Sequence, residues 1–191
     1  MQPQDTLYSI AWRHNLDYRA LARWNGIGSD YRISVGQLLT LTPATPPSAN
    51  LPPRAASPPG APGASAVQGS TAGRWVWPTA SLESPHAVAG GGILLDGVLG
   101  QPVRAADSGH IVYVGNGIRG YGNLIIIKHD ESFLSAYAHT QEVTVHEGQE
   151  VLRGQVIAQM GVGPHQSPAL YFEIRLNGKP VNPLPYLAGE K

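Results

Sequence analysis

Short apolar runs separated by glycine-containing turns fill the second half of the chain. The clearest are residues 109–115, 123–129 and 156–161, which are rich in valine and isoleucine. Strands at this spacing, without a sustained helical period, are typical of an antiparallel all-β domain. The pattern predicts such a domain over residues 74–191, a length that can bury its own core.

The first part of the chain shows a helical period instead. Leu7, Ile10 and Ala11 follow the i, i+3, i+4 spacing of one helix face. Thr6 precedes them and has the side chain of a good N-cap, because its hydroxyl can accept from a free backbone N–H. The pattern predicts a short helix that begins directly after Thr6.

A second helix and a strand are predicted in the rest of this N-terminal unit. Asp17 is a candidate N-cap for a helix that carries Leu21, Ala22 and Trp24. A Gly-Gln turn then leads into a short apolar strand over residues 38–41. We therefore expect residues 1–42 to form a small α+β unit.

The segment between the two units has a different composition. Residues 43–73 contain eight prolines, no aromatic residue and a single charge, Arg54. Such a segment cannot bury enough apolar surface to offset the entropy of ordering it. We expect a flexible, disordered Pro/Ala-rich linker that tethers two folded units.

Composition excludes several function classes. The 191 residues carry a formal net charge of zero, which argues against nucleic acid because phosphate binding needs clustered Lys and Arg. The sequence has no run of 18 apolar residues, so no transmembrane segment is predicted. It contains no cysteine, which removes disulfides and thiolate chemistry.

Three motifs in the N-terminal unit resemble the LysM family. They are Asp5-Thr6-Leu7-x-x-Ile10-Ala11, Leu21-x-x-Trp24-Asn25-Gly26-Ile27 and Ile33-x-x-Gly36-Gln37-x-Leu39. The resemblance implies a βααβ fold that binds peptidoglycan glycan strands or chitin. It places the glycan contacts in the loops near residue 6 and at residues 25–29, with Thr6, Asn25, Gly26 and Ile27 as candidates.

The start of the LysM match departs from the family. LysM modules usually begin with a Tyr-x-Val strand, whereas only four residues, Met1 to Gln4, precede the match here. We therefore expect the module to be truncated at its N-terminus, with any signal peptide or lipid anchor lying upstream of this sequence.

The β domain resembles the LytM (lysostaphin-like) zinc peptidase family along its full length. The segments that carry the resemblance are Trp77-Pro78, Gly100-Gln101-Pro102-Val103, Gly120-Tyr121-Gly122-Asn123, Tyr137-Ala138-His139, Leu170-x-Phe172-Glu173-Ile174 and Val181-Asn182-Pro183. Active members of that family hold zinc through a His-x-x-x-Asp motif and a His-x-His strand, and two further histidines assist catalysis.

The resemblance implies that the zinc ligands are lost. Position by position, the three ligands correspond to Gly90, Leu94 and Tyr171, while Ala169 replaces one catalytic histidine and only His139 survives. Catalytic zinc needs three protein donors at about 2 Å and an open position for water. Glycine and leucine offer no donor, and a phenol with a pKa of about 10 is a poor ligand at neutral pH. We expect no catalytic residue, no metal and no cofactor at this site.

Three other residues carry side chains that could bind zinc in place of the lost ligands. Asp96 lies two positions past Leu94 on the same strand face, which places it about 6.5 Å further along. That separation is too large for Asp96 to supply the lost carboxylate without a register slip. His86 and His165 would need similar displacements.

The vacated cleft is predicted to bind a protein partner. Tyr171 and Arg175 share one strand face by the period of two, and a tyrosine there is a common interface anchor. Arg175 could instead pair with Glu173 or Asp130, Tyr121 could merely fill a hairpin, and His139 is more simply a packed remnant. The candidate partner-binding residues are Tyr171, Arg175, Tyr121, Arg119, His139 and Leu94.

The order of LysM module, linker and degenerate LytM domain resembles the NlpD-type murein hydrolase activators, and the β domain is also similar to the EnvC type. The resemblance implies a non-enzymatic activator of a periplasmic N-acetylmuramoyl-L-alanine amidase in septal peptidoglycan splitting. It also implies a periplasmic location as an outer-membrane lipoprotein at the division septum. Two alternatives are a zinc-dependent peptidoglycan endopeptidase with a rebuilt metal site and a purely wall-binding module.

Overall fold

A computed structural model describes residues 6–42, 75–81, 83–88 and 90–187. The expected linker, residues 43–73, lies outside the described residues. Two helices form the N-terminal unit, and ten strands and a short helix form the C-terminal unit. They are α1 (Leu7–Arg13), α2 (Tyr18–Trp24), β1 (His86–Ala87), β2 (Ile93–Asp96), β3 (Pro102–Arg104), β4 (Gly109–Gly115), β5 (Asn123–Lys128), β6 (Phe133–Gln141), β7 (Glu150–Val151), β8 (Val156–Met160), β9 (Ala169–Leu176), β10 (Lys179–Val181) and α3 (Leu184–Leu187).

Both predicted helix caps are confirmed. The Thr6 hydroxyl accepts a hydrogen bond from the backbone N–H of Ser9, and the Ser9 side chain bonds back to the Thr6 backbone, forming a capping box. The Asp17 carboxylate accepts from the N–H groups of Arg19 and Ala20. These bonds satisfy backbone donors that have no partner inside a helix.

The strand expected over residues 38–41 is not assigned. A strand needs a neighbour to bond with, and the first strand of a βααβ unit would fall on residues 1–5, which lie outside the described residues. The backbone of Thr40 instead exchanges two hydrogen bonds with the side-chain amide of Asn25. Among the described residues, the unit therefore consists of two helices and irregular segments.

The predicted antiparallel all-β domain is confirmed. One sheet runs in the order β1-β2-β9-β6-β5-β4-β7, with β10 beside β9 and β8 joining β3 to β6. All strand pairs in the described part of the sheet are antiparallel. The sheet places β2 and β9 side by side, so that Leu94 lies directly opposite Tyr171.

The sheet buries apolar side chains on both faces. On β5, Ile125 and Ile127 belong to the inner core together with Trp75, whereas Leu124 and Ile126 belong to a second cluster on the opposite face. An antiparallel sheet commonly leaves one face to water and then alternates apolar with polar residues. The uninterrupted apolar run of β5 is explained by a second layer that covers the outer face.

The covering layer is the N-terminal helix pair, so the two folded units are in contact. Leu7, Ile10, Trp12, Tyr18 and Leu21 pack into the same cluster as the outer face of the sheet. The physical reason is that the outer face is apolar and would otherwise be exposed to water. We call this helix pair, with the segment to residue 42, the docked module.

Arg175 lies at the centre of the contact between the docked module and the sheet. It is 3% exposed, and its guanidinium lies 3.5 Å from the centre of the Trp12 ring. It donates to the Trp12 carbonyl at 3.1 Å and to the Asn15 side chain at 3.1 Å. Its Nε donates to the buried Glu173 carboxylate at 2.6 Å. Arg175 thus satisfies a carbonyl at the end of α1 and balances a buried carboxylate at once.

Gly178 marks the closest approach of the two backbones. A Cβ at this position would lie 2.5 Å from the Cα of Asp17, closer than real Cβ atoms come to backbone. The neighbouring Asn177 side chain accepts from the Arg19 guanidinium at 2.7 Å. The turn after β9 therefore fits the docked module only with glycine at position 178.

We expect Gly178→Asn to separate the docked module from the sheet. Asparagine tolerates the left-handed φ of +77° at this position, so its main effect is the clash with Asp17. Overpacking of this kind typically costs about 1–3 kcal/mol. Small-angle X-ray scattering should show a larger radius of gyration for the variant.

The matched control is Gly154→Asn, because Gly154 has a φ of +79° and no atom within 4 Å of its would-be Cβ. It should leave the radius of gyration unchanged. Equal radii for wild type, Gly178→Asn and Gly154→Asn would contradict the docked arrangement.

We expect Arg175→Met to destabilise the protein by about 3–5 kcal/mol, because the Glu173 carboxylate would stay buried without its cation. Adding Glu173→Gln should recover much of this loss, since the amide carries no charge. Urea unfolding followed by tryptophan fluorescence gives both values. A loss below about 1 kcal/mol in the single variant would show that the pair does not stabilise this interface.

Candidate functional site

Four of the predicted partner-binding residues line one cavity of about 300 Å³ on the outer face of the sheet. Leu94 and Tyr171 come from the paired strands β2 and β9, Tyr121 precedes β5, and His139 lies on β6. The remaining wall comes from the loops before β2, before β5 and before β9. We call this cavity the groove; its lining includes Leu94, Gly120, Tyr121, His139, His165 and Tyr171.

Tyr171 is fixed in the groove on three sides. Its ring lies against the backbone of Gly92, where a Cβ would meet ring atoms at 2.4–2.6 Å. The Tyr121 ring contacts it edge-on, with 5.5 Å between ring centres. Its hydroxyl donates to the Glu173 carboxylate. Burial, and then the Glu173 charge, raise the pKa of Tyr171 well above its usual range, so the phenol keeps its proton.

His139 is held by its backbone more than by side-chain contacts. Its φ is +60°, which is uncommon for a residue other than glycine. The His139 N–H donates to the Tyr121 carbonyl at 2.9 Å, and its carbonyl accepts from Gly161 at 2.9 Å. Burial lowers the pKa of His139 below its usual value of 6.5, so the ring is neutral at pH 7.

The positions that the sequence resemblance assigns to metal ligands do not fit a catalytic zinc ion. Leu94 is buried and apolar, and Gly90 lies in a turn with a φ of +110° and has no side chain. The Tyr171 hydroxyl is occupied as a donor to Glu173. Within the described groove, this leaves only His139 of the family's expected metal and catalytic positions with a lone pair to offer, and one imidazole does not make a zinc site.

The other two predicted partner-binding residues lie in an adjoining cavity of about 650 Å³. Arg119 is exposed there, whereas Arg175 is buried under the docked module. The wall of this cavity combines Trp12 and Asn15 of the docked module with Tyr121 of the sheet, so Tyr121 borders both cavities. The structure therefore brings all six residues to one side of the sheet but covers Arg175.

The predicted glycan-binding residues have mixed environments. Thr6 is engaged in the α1 capping box, and Asn25 bonds the Leu21 carbonyl and the Thr40 backbone. Gly26 is exposed with a φ of +63°, and Ile27 is half-buried against the helix pair. The loop that follows, residues 28–30, is exposed in the docked arrangement.

Sequence reasoning missed the residues that join the module to the sheet, namely Trp12, Asn15 and Gly178. It allowed for pairing of Arg175 with Glu173, but not for the burial of this pair or for the hydrogen bond from Tyr171 to Glu173. One signal was available: residues 124–127 are apolar without a break, and a strand with two apolar faces needs a layer on each side. The sequence did not indicate which segment forms that layer, because the helix pair lies about 100 residues before β5 in the chain.

A search of the described residues for a helix long and apolar enough to cross a membrane gives none.

Comparison with known proteins identifies both parts of the chain. The LysM domain model matches residues 2–42, and the model of peptidase family M23 matches residues 89–183. The fold of the β domain is shared with Helicobacter pylori Csd3, with a TM-score of 0.52 and 23% identity over 61% of this chain and 37% of that one.

Several relatives match nearly the whole chain. A Pseudomonas aeruginosa protein named lipoprotein NlpD/LppB homolog is 41% identical and covers 96% of this chain and 74% of its own length. A Salmonella dublin protein named murein hydrolase activator NlpD is 37% identical over 96% of this chain and 66% of its own length. The chain therefore belongs to the NlpD-type lipoprotein family and carries a LysM domain followed by an M23-type β domain.

Proposed function

We propose that the chain is a non-catalytic activator of a periplasmic N-acetylmuramoyl-L-alanine amidase in septal peptidoglycan splitting. The observation that carries the proposal is the groove itself, which is lined by an apolar Leu94 and a protonated Tyr171. The sequence resemblance assigns both positions to metal ligands of an active peptidase. A relative of the same domain order is named a murein hydrolase activator, which supports the same role.

The groove has the chemistry of a docking surface. Tyr121 and Tyr171 present two aromatic rings at right angles, and Leu94 adds apolar area beside them. A neutral His139 adds no charge that would have to be desolvated on binding. We expect a short apolar segment of the amidase to occupy this groove, so that binding favours the active conformation of the enzyme.

The docked module divides the partner surface into two parts. The groove is open in the docked arrangement, whereas Arg175 is covered by Trp12 and Asn15. If the amidase uses Arg175 as well, the module has to leave the sheet first, and Arg175 then loses three hydrogen-bonding or ring contacts. The proline-rich segment of residues 43–73 would keep the released module within reach of the wall and the enzyme.

The LysM module supplies the second partner, the glycan strands of peptidoglycan. The relatives that are named lipoproteins support a periplasmic or outer-membrane location, and we propose that the chain acts at the division septum. Wall binding and amidase binding would then concentrate the enzyme on its own substrate.

We expect the purified chain to increase dye release by an N-acetylmuramoyl-L-alanine amidase from dye-labelled sacculi, and to release none by itself. Gly120→Asn should lower this activation by about tenfold or more, because Gly120 lines the groove with open space above its Cα and an asparagine there would project into it. Gly148→Asn should activate like the wild type. Gly148 has a similar left-handed φ of +82° and open surroundings, but it is not part of the groove lining.

Three results would decide the matter. Dye release by the chain alone would establish an enzyme and reject the activator proposal. Equal activation by Gly120→Asn and Gly148→Asn would remove the groove from the partner surface. Stronger activation by Gly178→Asn than by wild type would place Arg175 in that surface, whereas unchanged activation would exclude it.

We expect wild type and Gly178→Asn to co-sediment equally with insoluble peptidoglycan, because the loop at residues 28–30 is exposed while the module is docked. The measurement is the bound fraction after centrifugation with purified sacculi. Binding by Gly178→Asn alone would show that docking hides the glycan-binding face.

A further inference from the structure

Three metal-ligating side chains meet just outside the groove. Glu83 lies in the segment before β1, His86 lies on β1, and Asp96 ends β2; one ligand atom from each falls within 4.8 Å of the others. None of the three belongs to the inherited ligand positions. His86 and Asp96 line a cavity of about 510 Å³ that shares Val88, Leu94 and His165 with the groove.

The distance between His86 and Asp96 is longer than a good hydrogen bond and close to the spacing of two zinc ligands. His86 Nε2 lies 3.3 Å from Asp96 Oδ2 and 3.8 Å from Glu83 Oε2. Good N–H···O bonds are about 2.7–3.2 Å long. Ligands bound to zinc at about 2.0–2.1 Å in tetrahedral geometry are separated by about 3.3–3.4 Å, close to the shorter of these distances.

An ordinary surface pair elsewhere in the sheet makes the contrast clear. His110 Nε2 lies 2.9 Å from Glu150 Oε1, a normal hydrogen-bond length, and a single carboxylate faces it. The His110 and His86 side chains have nearly equal exposure, 59% and 58%. His86 instead lies between two carboxylates at longer distances, an arrangement that a divalent cation would neutralise.

The backbone around the three residues is arranged in advance. β1 pairs with β2 so that His86 lies opposite Leu94, two residues before Asp96. The Ser81 hydroxyl donates to the Glu83 carbonyl at 2.8 Å and lies 3.3 Å from the Asp96 carbonyl. Ser81 thereby holds the segment that carries Glu83 against the end of β2, so little ordering is left for an ion to impose.

We propose that Glu83, His86 and Asp96 form a binding site for a divalent first-row transition metal. Among these metals we expect Zn²⁺, because the site offers one imidazole nitrogen and two carboxylates. Imidazole with carboxylates is a donor set that suits zinc. Three protein ligands leave the fourth position to water. The ion would fasten the segment before β1 to β1 and β2, and thus hold one wall of the groove.

The test is a calorimetric titration of the full, untagged chain with ZnCl₂ at pH 7.5. We expect one zinc equivalent to bind saturably. His86→Ala and Asp96→Asn should each weaken this binding by about tenfold or more, because each removes one of three ligands. His110→Ala, the matched surface histidine, should change the affinity less than about twofold.

A second readout separates binding at this site from adventitious binding by the other histidines. Hydrogen exchange should show zinc-dependent protection of residues 83–88 and 93–96 in the wild type and in His110→Ala, but not in His86→Ala. Equal zinc affinities for His86→Ala and His110→Ala, or no saturable binding by the wild type, would overturn the proposal. The amidase activator role would survive either result, because it rests on Leu94, Tyr121 and Tyr171 and uses no metal.

Discussion

A buried ion pair on the outer face of the sheet sets the arrangement of the whole molecule. Glu173 and Arg175 are 1% and 3% exposed, and both lie on β9 beside Tyr171. Leaving one of them unpaired in the interior would cost several kcal/mol. The pair is satisfied only because Tyr171 donates to one side of it while Trp12 and Asn15 accept from the other. The polar centre of the interface therefore belongs half to the β domain and half to the helix pair.

This arrangement also fixes the Tyr171 side chain in the groove. In the described structure, the Tyr171 hydroxyl donates a hydrogen bond to the Glu173 carboxylate, and the Tyr171 ring lies against Gly92. The Tyr171 side chain therefore lines the groove, and its hydroxyl is engaged with Glu173. Through Tyr171, Glu173 and Arg175, strand β9 connects the groove to the interface with the helix pair.

The sequence allowed much of the fold to be predicted, and the reasons are local. Thr6 and Asp17 carry their capping chemistry within three residues, so both helix starts could be placed. The alternation of short apolar runs and glycine turns was enough for the antiparallel sheet. The strand predicted over residues 38–41 is not assigned, because a strand depends on a partner and the Thr40 backbone bonds with the Asn25 side chain instead. Docking of the module could not be predicted either, because it rests on contacts such as Arg175 with Trp12, which are separated by 163 residues.

The candidate site was predictable only in part, and the difference follows from what a residue pattern can encode. Cross-strand neighbours such as Leu94 and Tyr171 follow from family resemblance and strand period, and the structure places them together. Burial of Arg175 does not follow from its strand position, because that position would be exposed if the β domain stood alone. A docked module that shares Arg175 with the proposed amidase surface, yet leaves residues 28–30 exposed, separates the two binding events in space. Binding to the cell wall would then need no rearrangement of the module. An amidase that contacts Arg175 on β9 would have to displace the module, and this displacement costs free energy because it breaks the contacts of Arg175 with Trp12 and Asn15. The stability of the interface between the docked module and the sheet would therefore determine how much of the free energy of amidase binding remains to favour the active conformation of the amidase.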